Sequence, residues 1–491
     1  MKNILSLIVL MFVSLVSFAQ TGNKSGYEAF LESRRSAFKS YVDSRNARYA
    51  EFMKRRWREA EISTADTETP QPSPMIPVKQ PDAEEAALTP APKEQTVPQP
   101  SPASNEPVIS KPLPPSGEQA EPQPAVAISE ESANTDAFEF SFFGTDCRVP
   151  KFDMHRPALE NCTEESVAAL WEKFAASGYA SIITECSKLK KFLRLNDWGY
   201  LRLLTSLADA WYSPDSDEAT LLRTFLAVQS GYEVRIAQSS GHLLMLFPCN
   251  EQIYRRRYVS LDGTRYYMFD TRGNNSKCRV FDKSFGGGNR ISLRMTEIPH
   301  LADKPSPVRI LQSKKYPDVK MDATINMNLI DYFDLYPNCD LEIYRIPTFS
   351  GSIAGELESM KQAIALLDAK DAVAMILDFV QTAFDYQTDA EQFGYERSFF
   401  AEETFYYPYC DCEDRAILFS ALVENLTGFD TVLLQYTGHV AAAVCFDNDV
   451  AGDFVTVNGR RYIVCDPTYI GAGIGRSMPG LDNKSISIVT K

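Results

Sequence analysis

Residues 408–426 read Pro-Tyr-Cys-Asp-Cys-Glu-Asp-Arg-Ala-Ile-Leu-Phe-Ser-Ala-Leu-Val-Glu-Asn-Leu. The apolar set Ala416, Phe419, Leu422/Val423 and Leu426 recurs at steps of three and four, the spacing of one helix face. That periodicity predicts a helix beginning at Cys412, with Glu413 and Asp414 in its first turn, where carboxylates suit the positive end of the helix dipole. A thiol at the same place is expected to have a lowered pKa and to present an accessible thiolate. Downstream, Gly428 breaks the helix, and Thr431 to Phe446 reads as strand with Gly438-His439 inside it. A polar turn at Asp447–Gly452 leads to a second strand, Arg461 to Asp466, which ends Cys465-Asp466-Pro467-Thr468.

Cys412, His439 and Asp466 are separated by 27 residues at each step (439 − 412 and 466 − 439). A thiol, an imidazole to share its proton and a carboxylate to orient the imidazole make a nucleophilic triad. The rival thiol, Cys410, sits two residues earlier and points off the helix start.

This order of helix-Cys, strand-His and strand-Asp resembles the transglutaminase-like superfamily of papain-like folds, and bacterial transglutaminase-like cysteine proteins in particular. The resemblance is carried by Asp-Cys-Glu-Asp-Arg-Ala (411–416), Gly-His (438–439) and Cys-Asp-Pro-Thr (465–468), and covers residues 354–491. It implies Cys412 as nucleophile, His439 as base and Asp466 as the orienting group. One departure is Cys410, where similar proteins carry Gly. The C-G-S-C-W type of signature is absent, so a papain protease proper is not implied.

The same pattern occurs earlier in the chain. Gly231, Gln238 and Gly241-His242 precede Gly428, Gln435 and Gly438-His439 by 197 residues (439 − 242), and the Gly263-to-Asp270 run matches Gly459 to Asp466. Carrying that offset back without a gap places Asp215 opposite Cys412. The reading is a tandem duplication whose first module keeps His242 and Asp270 but has lost its thiol. Such a module is expected to hold the second one or to bind part of the substrate. His242 and Asp270 are expected to hydrogen-bond across the strand pair, and Ser216 serves only if the alignment slips by one residue.

The remaining composition narrows the function. Lys and Arg number 50 against 65 Asp and Glu, a net charge of −15, which argues against nucleic-acid binding. Only four histidines occur, and no HExxH, CxxC or GxxxxGK[ST] run is present, so no metal ligands and no cofactor are assigned. Asp447-Asn-Asp449 is read as a hairpin turn rather than a calcium loop. Gly286-Gly287-Gly288 is read as a joint. Cys445 and Cys465 flank strands expected to pair, and a disulfide between them is compatible with an oxidising compartment.

Residues 1–19 have the pattern of a secretory signal: Lys2, an apolar run from Ile4 to Val16, and small residues before a cut after Ala19. The mature chain is therefore expected to be periplasmic or secreted, with no stable membrane span. Tyr27, Leu31, Phe38, Tyr41/Val42, Tyr49 and Phe52/Met53 form a helical stripe in 24–62, read as a helix that self-associates, packs on the body or meets an unidentified partner. Residues 63–135 hold more than half of the 29 prolines and read as a disordered spacer. Alternation at Val319, Met321, Ala323, Ile325, Met327 and Leu329 marks 289–350 as β-rich.

The expected fold is α+β: a papain-like, transglutaminase-like core of helix on antiparallel sheet in two tandem copies. The expected parts are a signal (1–19), an amphipathic helix (20–62), a Pro-rich linker (63–136), a degenerate module (137–288), a β-rich connection (289–353) and a triad-bearing module (354–491). The expected activity is thiol-dependent acyl transfer on protein or peptide amides, as peptidase, deamidase or transglutaminase. The alternative is a non-catalytic binding or scaffold protein.

Overall fold

A thirty-residue helix, α1 (Lys24–Met53), begins the part of the chain that the computed structural model describes: residues 24–65, 137–270, 275–281, 288–481 and 486–491. The expected signal (1–19), the spacer from residue 66 and Gly286-Gly287 lie outside these residues. Only the second half of the α1 stripe is covered. Tyr49, Ala50 and Met53 are buried, and Tyr49 stacks on Trp171 at 4.6 Å, whereas Phe38 and Tyr41 are exposed. The helix ends with its stripe at Met53, short of the expected boundary at 62. Trp57 donates from its ring to Met53 O (3.0 Å) and from its backbone to Glu164 Oε1 (3.0 Å), which turns the chain into strand β1 (Arg58–Thr64).

The first half is a helical layer against a closed sheet. The hairpin β2 (Ala137–Phe142)/β3 (Thr145–Pro150) leads into α2 (Glu164–Ala176), α3 (Tyr179–Phe192), α4 (Asp197–Trp211) and α5 (Asp217–Gln229). Side-chain caps at Thr163, Asn196 and Ser216 set the starts of α2, α4 and α5. Strands β4 (Arg235–Ser239), β5 (His242–Pro248), β6 (Arg257–Leu261), β7 (Thr264–Met268) and β8 (Lys277–Val280) follow. With β1 they close a barrel in the order β1-β6-β7-β5-β4-β8. Alternation divides each strand: Leu244, Leu246, Val259 and Tyr266 belong to one buried cluster, while Leu243, Met245 and Phe247 join the main core.

The connection between the halves departs from the β-rich expectation. Its regular elements are the short pair β9 (Arg309–Gln312)/β10 (Lys320–Ala323), the helix α6 (Met327–Phe333) and one 3-10 turn (Leu341–Ile343). The alternating run from Val319 continues as strand only to Ala323. Asn326 then caps a helix by accepting from Asn328 N, so Met327 and Leu329 are buried or half-buried on a helix instead. The alternation is real, since Val319, Met321, Ala323 and Ile325 are all buried, but a cap residue ends it.

The second half contains α7 (Gly351–Ile364), α8 (Ala369–Thr382), β11 (Asp385–Tyr386), α9 (Asp389–Gln392), α10 (Ala401–Tyr406), β12 (Tyr409–Cys410) and α11 (Cys412–Thr427). Its five-stranded antiparallel sheet comprises β13 (Thr431–Tyr436), β14 (His439–Val444), β15 (Phe454–Val457), β16 (Arg460–Cys465) and β17 (Ser487–Val489). Helix α11 is buried on nearly every side, as befits a helix enclosed by α8, α10 and the sheet. The stretch read as one strand to Phe446 is a hairpin, β13/β14, with Tyr436 opposite His439. Its two-residue turn needs a positive φ, which Gly438 supplies at +84°.

The strand order β15-β16-β14-β13-β17 matches the β6-β7-β5-β4-β8 succession of the first half. The fold is thus a mixed α+β arrangement of helices on antiparallel sheets. Cys445 and Cys465 do not approach as a disulfide; both thiols are free. Strand alternation sends Cys445 to the outer cluster with Val432 and Tyr462, and Cys465 to the main core on the opposite face. Among the described residues no helix is long and apolar enough to cross a membrane.

Candidate functional site

Cys412 is the first residue of α11, Asp411 its N-cap. Asp414 Oδ2 accepts from the Asp411 amide (3.3 Å) and Asp414 Oδ1 from Phe399 N (2.8 Å), so the helix start is pinned to the chain that crosses it. His439 begins β14, and Asp466 follows the last residue of β16. Because β14 and β16 are neighbours, with Ala442 opposite Cys465, the imidazole and the carboxylate meet: His439 Nε2 lies 2.8 Å from Asp466 Oδ2. A carboxylate only accepts, so Nε2 carries the proton and Nδ1 the lone pair. Nδ1 is buried and has no hydrogen-bond partner. The Val440 amide, one residue further along β14, favours the ionised form of the Cys412 thiol. Helix α11 packs against β14, so Cys412 and the His439–Asp466 pair lie on adjoining elements.

Their surroundings differ from the expectation of an exposed, acidified thiol. Cys412 is 3% exposed, His439 0% and Asp466 1%. The Cys412 thiol donates to Glu413 Oε2 at 3.1 Å. Burial, then the negative charge of Glu413 and Asp411, raises its pKa well above the usual thiol value. The helix N-terminus does not prevail, because the carboxylates that complement its dipole also face the sulfur. The lowered pKa predicted for Cys412 is thus corrected for this state of the site.

Glu413 is the centre of a buried acidic group that includes Asp389 and Glu396, which no motif in the sequence marks. Glu396 hydrogen-bonds Glu413, and burial first, then Glu413, pushes it up to about 9. Asp389, Asp411 and Asp414 are likewise raised, first by burial and next by neighbouring carboxylates. Shared protons hold such a group together. Two sets of ligand atoms, Asp411/Cys412/Glu413 and Asp389/Glu396/Glu413, each lie within 4.8 Å of one another and can hold a cation. From sequence no metal ligands are assigned; Glu413 and Asp414 are placed in the first turn of the helix and Asp411 only within the 411–416 motif.

Cys410 is separated from this chemistry. Its thiol donates to Asp385 O at 3.7 Å, and burial pushes its pKa up to about 11. Arg415, one turn into α11, donates to Phe384 O at 2.7 Å and sits over the Tyr386 ring at 5.4 Å. These contacts attach α11 to β11 and the residue before it.

In the first half the gap-free alignment fails at the helix. The residue that begins α5 is Asp217, and Asp215 lies in the turn before it with φ +60°. From helix start to the following glycine the step is 14 here (231 − 217) and 16 in the second half (428 − 412), so the two helices do not align without a gap of two. Ser216 is the N-cap, its Oγ accepting from Ala219 N at 3.1 Å. Asp217 Oδ1 accepts from Leu243 N (2.7 Å), and Asp217 Oδ2 faces His242 Nδ1 (3.3 Å) and the Cys162 thiol (3.5 Å). Asp217 and Cys162 border a cavity of about 450 Å³ that Gln238 and Arg279 also line.

The pairing of His242 with Asp270 expected from sequence does not occur. Arg223 of α5 forms a buried ion pair with Asp270, whose Oδ2 also accepts from Met245 N at 3.2 Å. His242, exposed over 63% of its side chain, turns to Asp217. A long cation reaching from the helix has taken the carboxylate that orients the imidazole in the second half. No family model matches the chain, and no curated protein or solved structure matches it.

Proposed function

We propose that the second half is a thiol-dependent acyl-transfer site of transglutaminase-like type, acting on protein or peptide amides. The observation that carries this reading is the buried His439–Asp466 pair, 2.8 Å apart, whose Nδ1 makes no hydrogen bond, on the strand that α11 packs against. In this reading the Cys412 S–H turns from Glu413 to His439 Nδ1 and gives up its proton there. The thiolate attacks the amide carbonyl carbon. The Cys412 N–H, one of the orphan donors of a helix start, stabilises the developing oxyanion. The imidazolium returns the proton to the leaving amine as the C–N bond breaks, and a thioester remains. Water then completes hydrolysis, or a lysine amine completes a crosslink. Asp466 stabilises the imidazolium and fixes its tautomer.

The common strand succession of the two sheets, and the shared position of Asp217 and Cys412, support a tandem origin with a degenerate first module. In this reading the protein is exported, and the first module serves attachment or substrate binding.

One observation favours the second reading, a non-catalytic scaffold: the thiol is closed over and its proton is committed to Glu413. The readings part on Cys412→Ala. Acyl-donor probes of peptide-amide and peptide-thioester type should acylate the wild-type protein at Cys412, and the variant should fold and remain unlabelled. A folded wild-type protein that never forms an adduct at Cys412 with either donor sinks the catalytic reading.

A further inference from the structure

The Asp466 carboxylate is held at one oxygen by its own loop: Oδ1 accepts from Thr468 N (2.9 Å) and Tyr469 N (3.1 Å). That local turn fixes the carboxylate relative to the loop but not relative to His439. The pairing of β14 with β16 sets where Asp466 leaves the strand, and one side chain from another element holds the loop beyond it. Gln381, near the end of α8 and 2% exposed, donates from Nε2 to the carbonyls of Asp466 (3.0 Å), Tyr469 (2.9 Å) and Ala472 (3.1 Å). Its Oε1 accepts from Gly471 N at 3.1 Å. An amide has two N–H groups and one carbonyl, so both ends of the side chain are spent on the 466–472 loop, with one N–H shared. The main chain of the same residue faces the other way: Gln381 O accepts from Arg415 at 3.5 Å, three residues beyond Cys412.

We propose that Gln381 is the positioning residue of this site, fixing Asp466 against His439 and, through Arg415, against the helix that carries Cys412. The inference rests on the reading of Cys412, His439 and Asp466 as a working triad, but its test does not require a substrate. A Gln buried merely to fill space needs no such set of partners. Three carbonyls and one amide from a single loop, all taken by one side chain, make the loop's position depend on it. If the side chain is lost, the loop keeps its internal turn, and the carboxylate moves with the loop away from Nε2.

The test is imidazole NMR on the full-length chain. Of the four histidines only His439 is buried, so its Nε2–H is the ring proton shielded from exchange, and Asp466→Asn assigns it. Gln381→Met removes every side-chain hydrogen bond at similar length. Gln381→Ser leaves room for water at the loop carbonyls and covers the case in which Met does not fold. Gln381→Glu keeps the acceptor for Gly471 but retains a donor only while the carboxyl is protonated. The expected result is loss of the shielded His439 signal in folded Met or Ser variants. The Glu variant should keep the signal at low pH and lose it as the pH rises, while the exposed histidines titrate as in wild type. A folded Met or Ser variant with the wild-type His439 signal, or a Glu variant whose signal does not respond to pH, overturns the proposal. In that event labelling at Cys412 is unaffected, so this failure is separable from failure of the acyl-transfer reading.

Discussion

Asp217 stands at the start of α5 as Cys412 stands at the start of α11, and each side chain meets the amide just after a strand-leading histidine. Leu243 N donates to Asp217 Oδ1 at 2.7 Å, and the Val440 amide favours the ionised form of the Cys412 thiol. In the tandem reading the position equivalent to Cys412 is Asp217, not Asp215.

A restored thiol at that position should still be inactive. Asp217→Cys in a Cys412→Ala background is expected to fold and to react with alkylating agents beside the 450 Å³ cavity. It is expected to give no turnover, because Arg223 holds Asp270 and leaves His242 without an orienting carboxylate. Acyl-donor turnover in this double variant would show that the first half needs only a thiol.

Thiol mapping in the native protein should separate the cysteines by burial. Cys162 is the one cysteine of ten that is not buried. It should be carboxymethylated first by iodoacetamide, and Cys412 should remain unmodified at pH 6, since burial and Glu413 keep it protonated. Peptide mapping by mass spectrometry reads the order. Early modification of Cys412 at pH 6 would mean that the site is open and ionised in solution.

Asp466→Asn should leave the loop in place while disabling the imidazole. An Asn oxygen can accept from Thr468 N and Tyr469 N as Asp466 Oδ1 does, which turns the amide NH₂ toward His439 Nε2. Nε2 must then accept, the ring proton moves to Nδ1, and the thiol loses its base. With an acyl donor that turns over, kcat is expected to fall by roughly three to four orders of magnitude. A fall of less than tenfold removes Asp466 from the mechanism.

Stability should decline across mildly acidic pH because of two buried glutamates beneath the site. Burial pushes Glu402 and Glu403 each up to about 7, above the ordinary 4.5. The unfolded chain therefore releases these protons first. The native state loses stability as pH rises from the unfolded pKa to the folded one, by about 3 kcal/mol for each group. Glu402→Gln, which keeps an acceptor for Ser350 N, should remove about 3 kcal/mol of the stability lost in urea titrations between pH 4.5 and 7. An unchanged slope would mean that Glu402 is ionised in the folded protein.

Local pattern determined much of the site and its frame. The start of α11 was legible because Ala416, Phe419 and Leu422 repeat at helical spacing and Gly428, in the left-handed region, ends it. The strands that carry His439 and Asp466 were legible from their apolar runs and glycine turns, although the turn at Gly438 divides what read as one strand. Such signals survive in sequence because caps, turns and periodicity act between residues a few positions apart.

Tertiary structure alone decided the rest. A gap of two between the helices moves no strand or turn signal, so only packing reveals that Asp217, not Asp215, meets the Leu243 amide. Arg223 captures Asp270 across 47 residues, and Asp389, at the start of the short α9, and Glu396, beyond its end, reach Glu413 from segments with no periodic mark. The protonation of Cys412 depends on which charges burial places around it, and the helix dipole that the sequence does reveal is the weaker influence there. Gln381 belongs with these. An amide on a helix face is unremarkable in sequence, and its hold on Asp466 exists only because folding brings residues 381 and 466–472 together, where a buried carbonyl must find a donor.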